Sequence, residues 1–189
     1  MLPSKTDPNI KEEINNENDK DIYFKIKYDF LSHKYFLKDL GDGYGTYIKI
    51  DVITIKEKSI FSMGNSYLAF SYDIYLNNQN KKNSKKILFL KIINKDKQYD
   101  PIILGKDKNK YTIGRSKNSD ILIEDILLSK INCYLYYEND IWKIKDENQD
   151  GKPSTNGVWL YASEDNEIFN DMIFKSNNYN FHCKFSLNL

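Results

Sequence analysis

The residues best suited to chemistry lie between positions 111 and 157, in polar stretches that separate short apolar runs. Five of them stand out by type: Arg115, Ser129, Lys130, Thr155 and Asn156. An arginine offers forked donors with a permanent charge, and hydroxyl and amide groups add donors that carry no charge. Such a set suits an oxygen-rich anion such as phosphate, together with the peptide backbone beside it.

Arg115 is the only arginine among the 28 Lys and Arg residues of the chain. A lone arginine at the end of a strand is commonly a solvated side chain, and an Asn-Gly pair is commonly a turn. Because the chain otherwise uses lysine for positive charge, an arginine retained at this place indicates a task that needs a planar, forked donor. The interpretation depends on the ordered set of residues and not on Arg115 alone.

Short runs rich in Ile, Tyr, Phe and Val, separated by turn-forming residues, make up most of the chain from Ile22 onward. β-branched and aromatic side chains suit strands, and no stretch shows the periodicity of a long amphipathic helix. Many short strands with turns between them predict an all-β fold. The residues singled out above then fall in loops, where a rigid scaffold usually presents a binding site.

The order of the motifs resembles that of the forkhead-associated (FHA) domain, from Ile87 to the end of the chain. The motifs are Gly114-Arg115-Ser116, the acidic run Asp120–Asp125, Ser129-x-x-Asn132 and Ser154–Gly157. The resemblance implies a β-sandwich of two mainly antiparallel sheets that binds phosphothreonine on a partner protein. Phosphothreonine brings about two negative charges and three acceptor oxygens, which arginine and hydroxyl donors complement.

The resemblance also implies a role for each residue of the motifs. The phosphate contacts correspond to Arg115, Ser129 and Lys130, and the contacts with the peptide main chain to Asn156 and Thr155. The residues expected to support the site are Gly114, Ser116, Asn132 and Gly157. Asn132 departs from the family, which usually has a histidine there as a scaffold residue. An asparagine can satisfy some of the same hydrogen bonds with different geometry, so we expect the affinity to be reduced but not lost.

The first half of the chain resembles the latter part of the same module, with weak identity but in the same order. The run Tyr35–Asp39 resembles Trp142–Asp146, and a loop, a glycine and an aromatic strand follow each run. The predicted divisions are a disordered tail at 1–20, a partial FHA-like unit at 21–76, a Lys- and Asn-rich linker at 77–86 and an FHA domain at 87–189. The partial unit has no arginine, and Tyr44 stands at the position of Asn156, so one competent site is expected. Either the chain begins inside a longer protein or the partial unit packs on the second domain, and the sequence leaves both open.

Composition and motifs argue against other classes of function. The formal net charge of +1 gives no reason to expect nucleic acid or an anionic membrane as the partner. The sequence contains no nucleophile–base pair, carboxylate dyad, metal-ligand cluster or phosphate-binding glycine loop, so we predict neither an enzyme nor a metal or cofactor site.

No apolar run approaches the length of a membrane span, and the N-terminus is too polar for a signal peptide. We therefore expect an intracellular protein of the cytoplasm or nucleus. The alternative to phosphothreonine binding is a phosphate-independent scaffold that keeps the same fold and acts through protein–protein contacts. The sequence makes no prediction of oligomeric state.

Overall fold

The computed structural model describes residues 22–75, 85–105 and 108–186, and the named secondary-structure elements within these ranges are all β-strands. The first part contains β1 (Phe24–Asp29), β2 (Lys34–Asp39), β3 (Thr46–Ile50), β4 (Val52–Thr54), β5 (Ile60–Met63) and β6 (Ser66–Tyr75). The second part contains β7 (Lys85–Asn94), β8 (Ile102–Leu104), β9 (Lys110–Gly114), β10 (Ile121–Leu122), β11 (Cys133–Glu138), β12 (Ile141–Asp146), β13 (Val158–Tyr161), β14 (Asn166–Glu167), β15 (Ile173–Ser176) and β16 (Tyr179–His182). The all-β prediction is confirmed. Across these ranges there is no helix with the length and apolarity needed to cross a membrane.

Three sheets make up the fold. The five-stranded sheet has the order β10-β9-β11-β12-β4, and the eight-stranded sheet has the order β16-β15-β3-β13-β5-β6-β7-β8. A three-stranded sheet has the order β1-β2-β14. Of the described strand pairs, only β9 with β10 is parallel. The architecture is a β-sandwich of mainly antiparallel sheets, as the sequence predicts.

The larger hydrophobic core lies between the five-stranded and the eight-stranded sheets. Alternation along β12 buries Trp142 and Ile144 and leaves Lys143 and Lys145 on the other face, because successive side chains of a strand point to opposite sides. The buried residues of the same core cluster include Leu135, Phe61, Phe70, Leu88 and Leu90. A smaller core lies under the three-stranded sheet, where Leu37 clusters with Ile48 and Phe174.

The two parts of the chain are interleaved within these sheets. β3 lies between β15 and β13, β5 pairs with β13, and β4 forms the edge strand beside β12. In this pairing, strands from the range predicted as a partial unit, 21–76, lie between strands of the range predicted as an FHA domain, 87–189. The backbone edges that a separate partial unit would expose are hydrogen-bonded here to strands of the second part.

The predicted tail and linker can be compared with the structure only in part. The tail at 1–20 lies outside the described residues, and so does most of the linker predicted at 77–86. The last two residues of that predicted linker, Lys85 and Lys86, belong to β7. Strand β7 pairs along its whole length with β6, from Ser66↔Asn94 to Tyr75↔Lys85.

Strands are exchanged between the two parts in a two-fold pattern. The hairpin β1–β2 gains β14 from the second part, and the hairpin β11–β12 gains β4 from the first. Likewise β3 pairs with β15, and β13 pairs with β5. A two-residue turn joins β5 to β6, and another joins β15 to β16. The first residue of each turn has a positive φ, 54° at Gly64 and 50° at Asn177. Each part therefore supplies strands that complete the sheets of the other.

Candidate functional site

Two loops beside the five-stranded sheet approach each other through a glycine. β9 ends at Gly114, and a Cβ atom added there would lie 2.2 Å from the carbonyl oxygen of Lys130. Across this contact Arg115 N donates to Ser129 O at 3.2 Å, and Ser116 N donates to Lys130 O at 3.1 Å. Gly114 and Ser116 thus join the β9–β10 loop to the β10–β11 loop by backbone contacts.

Arg115 lays its side chain along the β10–β11 loop. The guanidinium Nε donates to the carbonyl oxygen of Leu128 at 2.8 Å, and the residue is exposed to solvent. Among the described residues no carboxylate forms a salt bridge with Arg115. One hydrogen bond therefore orients the guanidinium while its charge stays uncompensated, which is the state that suits an incoming anion.

Ser129 and Thr155 meet across two loops. Thr155 N donates to Ser129 Oγ at 3.2 Å, and the two hydroxyl oxygens lie 3.4 Å apart. Because Ser129 Oγ accepts from a backbone N–H, its own proton is available to donate to Thr155 or to a ligand. The β10–β11 loop and the β12–β13 loop are linked at this point.

Asn132 is fully buried beneath Ser129. Its Oδ1 accepts from Ser129 N at 3.1 Å, its Nδ2 approaches Met63 Sδ at 3.6 Å, and its backbone N donates to Ile113 O at 2.7 Å. The side chain therefore fixes the backbone of Ser129 and does not face solvent. Met63 belongs to β5, so a strand from the first part of the chain forms the base under this loop.

Asp125, the last residue of the acidic run Asp120–Asp125, anchors the other end of the β10–β11 loop, and the sequence analysis assigned it no role of its own. The carboxylate is buried; Oδ2 accepts from Asn65 N at 2.7 Å and from Ser66 Oγ at 2.8 Å, and Oδ1 accepts from Leu127 N at 3.0 Å. The only local signal is an aspartate that caps a turn two residues on. Its main partners lie in the β5–β6 hairpin and have no sequence signature.

Asn156 is exposed in the β12–β13 loop, next to Gly157 with its φ of 73°. Its Nδ2 donates to the carbonyl oxygen of Leu127 at 2.6 Å, and its carbonyl oxygen accepts from Trp159 Nε1 at 2.8 Å. The side-chain amide thus contacts the same loop that carries Ser129. An alanine at 157 would be strained by the positive φ.

Asp146 holds the base of the β12–β13 loop. Its Oδ1 accepts from Ser154 N at 3.0 Å, and its backbone N donates to Asp51 O at 2.8 Å. Burial raises the pKa of the Asp146 carboxyl, against the hydrogen bonds from Ser154, which favour its charged form.

Lys130 and two apolar side chains complete the surface around these loops. Lys130 is exposed, and its carbonyl oxygen accepts from Ser119 Oγ at 3.2 Å as well as from Ser116 N. Ile126 is 89% exposed and Leu127 is 43% exposed, at the start of the segment whose carbonyl oxygens accept from Asn156 and Arg115. The structure therefore gathers Arg115 and Ser129 with Thr155 and Asn156 around residues 127–129, with apolar surface beside them.

The fold is a β-sandwich, and the candidate binding residues lie in three of its loops, which contact one another. Residues 111–177 match the family model of the FHA domain, a family of protein-interaction modules that bind phosphopeptides. The matched stretch begins in β9 and ends just after β15, so it contains all three loops but not strands β1 to β8 or β16. No curated protein matches the chain.

Proposed function

We propose that this protein binds phosphothreonine on a partner protein through the loops that carry Arg115, Ser129, Lys130, Thr155 and Asn156. The observation that carries the proposal is the guanidinium of Arg115. It is oriented by its bond to Leu128 O, exposed, and without a carboxylate partner in the described part of the chain. A cation held in this way loses little freedom when an anion binds, and the anion does not have to displace an existing salt bridge.

The groups around Arg115 suit the charge and acceptors of a phosphate. Ser129 can donate its hydroxyl proton, because its oxygen already accepts from Thr155 N. Lys130 adds a positive charge from an exposed position on the same loop. A phosphate with about two negative charges and three acceptor oxygens would use one forked donor, one hydroxyl and one point charge.

The peptide on either side of the phosphate would run past the β12–β13 loop. Thr155 and Asn156 are exposed there and carry a hydroxyl and an amide that can bind main-chain groups. Ile126 and Leu127 offer apolar surface for a side chain of the partner. We propose that these two residues contribute to the choice among phosphorylated sequences.

Fluorescence polarisation with a degenerate phosphothreonine peptide library and its unphosphorylated twin tests the proposal. We expect binding only to the phosphorylated library, and a loss of at least tenfold in Arg115→Ala, since a hydrogen bond to a charged group is worth about 1.5–3 kcal/mol. Arg115→Lys keeps the positive charge but not the forked donors, so its affinity should lie between those of the wild type and Arg115→Ala. Lys117→Ala, which removes an exposed charge from the same loop, is the matched control. Equal binding of both libraries, or full affinity in Arg115→Ala, would refute the proposal.

A phosphate-independent scaffold is the second candidate, and one contact favours it. The Nδ2 of Asn156 already donates to Leu127 O at 2.6 Å, so the amide must exchange partners before it can donate to a peptide. The asparagine at 132, where the FHA family usually has histidine, points the same way. This candidate predicts that proteins recovered with the wild-type chain remain bound after phosphatase treatment.

We further propose that the first part of the chain derives from a second copy of the same module. The exchanged pairing of β4 and β14, and of β5 and β15, supports this proposal, as does the shared positive φ at Gly64 and Asn177. Location in the cytoplasm or nucleus remains our expectation from the sequence.

A further inference from the structure

An open cavity lies beside the loop that joins β2 to β3. Its volume is about 320 Å³. The lining residues are Asp39, Gly41, Gly43, Tyr44, Gly45, Tyr47, Tyr67 and Tyr161. They comprise one carboxylate, four tyrosines and three glycines, with no lysine or arginine. None of them belongs to the phosphopeptide site proposed above.

Asp39 gives the cavity its chemistry. The residue is 5% exposed, and its Oδ1 accepts from Gly41 N at 2.8 Å and from Tyr161 OH at 2.7 Å. Its Oδ2 is buried and has no hydrogen-bond partner among the described residues. A buried carboxylate oxygen without a donor is unfavourable, and native structures usually supply a partner for such an atom.

The tyrosines supply aromatic surface around the carboxylate. The ring of Tyr47 lies 5.4 Å from that of Tyr161 and 6.4 Å from that of Tyr67, measured between centroids. Gly45 has a φ of +82°, and a Cβ atom added there would lie 3.0 Å from the Tyr47 ring. Because the faces of aromatic rings attract cations, the lining combines two kinds of group that favour positive charge.

The rim of the cavity is held in place by the β15–β16 turn. Asn177 Oδ1 accepts from Tyr44 N at 2.9 Å, and a Cβ atom added at Gly43 would lie 2.6 Å from the same oxygen. The glycine loop therefore has a defined position before any ligand arrives. Lys175, which lies over the rings of Tyr47 and Trp159, does not line the cavity.

We propose that this cavity binds an organic cation with N–H donors, an ammonium or guanidinium group, which pairs with the Asp39 carboxylate and lies against the tyrosine rings. The volume is near the lower end for ligand sites, so it suits a side-chain-sized group and not a large molecule. The site is separate from Arg115 and does not depend on the proposed phosphothreonine binding. The cation belongs either to a free small molecule or to a lysine or arginine side chain of a partner protein.

The first test is an NMR titration of the ¹⁵N-labelled full chain with methylguanidinium and with its neutral isostere methylurea. We expect saturable amide shifts for methylguanidinium at Gly41, Gly43, Tyr44 and Gly45, with affinity for methylurea at least tenfold weaker. The amides of Ser129 and Thr155 should not move. Equal responses to the two probes, or shifts that map elsewhere, would overturn the proposal.

Two variants and a matched control sharpen the test. Asp39→Asn keeps the shape and removes the charge, and it should weaken methylguanidinium binding at least tenfold. Asp42→Asn removes an acid from the same loop that does not line the cavity, and it should bind like the wild type. If Asp39→Asn does not fold, Tyr67→Leu is the alternative variant. It removes the most exposed of the three packed rings of Tyr47, Tyr67 and Tyr161, and it should weaken methylguanidinium binding severalfold. Wild-type affinity in a folded Asp39→Asn or in Tyr67→Leu would contradict the proposal.

Peptides distinguish the two sources of the cation. A short peptide with one lysine or arginine that binds more tightly than methylammonium or methylguanidinium would assign the site to a partner protein. The free cations binding as tightly as the peptides would assign it to a small molecule. If neither the peptides nor the free cations shift the loop amides, the site does not bind cations.

Discussion

Asn65 donates its backbone N–H to Oδ2 of Asp125 at 2.7 Å, across a separation of 60 residues in the chain. This contact, with that of Ser66 Oγ to the same oxygen, anchors the loop that carries Ser129 to the turn between β5 and β6. A Cβ atom at Gly64 would lie 2.7 Å from the same carboxylate oxygen, so the turn and the aspartate fit closely.

Asp125→Ala is expected to lower the free energy of unfolding by roughly 2–3 kcal/mol, because it leaves the Asn65 N–H and the buried Ser66 hydroxyl without their acceptor and these hydrogen bonds involve a charged group. Urea denaturation of the full chain measures the change. Glu124→Ala is the control: Glu124 is exposed and forms a surface ion pair with Lys97, so its loss should cost less than about 1 kcal/mol. Similar losses in the two variants would show that Asp125 does not anchor the loop.

Gly114→Ala should destabilise the fold by about 3 kcal/mol, because the new methyl group meets a backbone carbonyl that cannot move alone. The contact is 2.2 Å from Lys130 O, so the loops bearing Arg115 and Ser129 must separate. Phosphopeptide affinity should fall with stability, even though no binding group is removed. Gly105→Ala, where a Cβ atom meets nothing within 4 Å, is the matched control. A stable Gly114→Ala variant with normal loops would contradict the close approach.

Asp146→Asn should raise the free energy of unfolding at pH 7 relative to the wild type. This difference between the two proteins should shrink as the pH is lowered. Burial raises the pKa of Asp146, so the folded state binds its proton more tightly than the unfolded chain does. The stabilisation from protonation is complete below the unfolded pKa and is lost as the pH rises through the folded pKa. Asparagine can keep the acceptor for Ser154 N without the charge. Urea unfolding of the wild type and Asp146→Asn at pH 7 and pH 4 measures the difference in their free energies of unfolding. A stabilisation by Asp146→Asn that is larger at pH 4 than at pH 7 would contradict the prediction.

Residues 87–189 alone are not expected to fold, since β3, β4 and β5 would be missing from between and beside their neighbours. The isolated fragment should show no cooperative urea transition and poor dispersion of its amide resonances. Addition of a peptide spanning residues 22–75 should restore both, because it supplies the missing strands. A cooperative transition in the fragment without that peptide would show that the exchanged pairing is dispensable.

Much of the fold follows from local pattern. The strands over 46–50, 110–114, 133–138 and 158–161 have the bounds that β-branched and aromatic runs predict. Local pattern does not predict β5, because Ser62 interrupts a run that is apolar on both sides, nor β8 and β14, which are only three and two residues long. The alternation of side chains identifies a strand but not its neighbour, so the exchange of β4 and β14 between the two parts could not be predicted.

The candidate site divides in the same way. The sequence identifies four candidate residues by the donor groups of their side chains, and the structure places them around one loop: Arg115, Ser129, Thr155 and Asn156. That these residues bind phosphothreonine remains our prediction. Asp125 and Met63 act through partners 60 and 69 residues away in the chain, and neither has a local signal that separates it from an ordinary turn or core residue.

The exchange of strands limits how the candidate binding surface could be transferred between genes. A stretch that carries only the three loops would take the chemistry but leave behind Met63 and the hairpin that anchors Asp125. Recombination would have to transfer both parts together to give a working copy. The loops can vary by point substitution, whereas the chain that supports them is inherited as one unit.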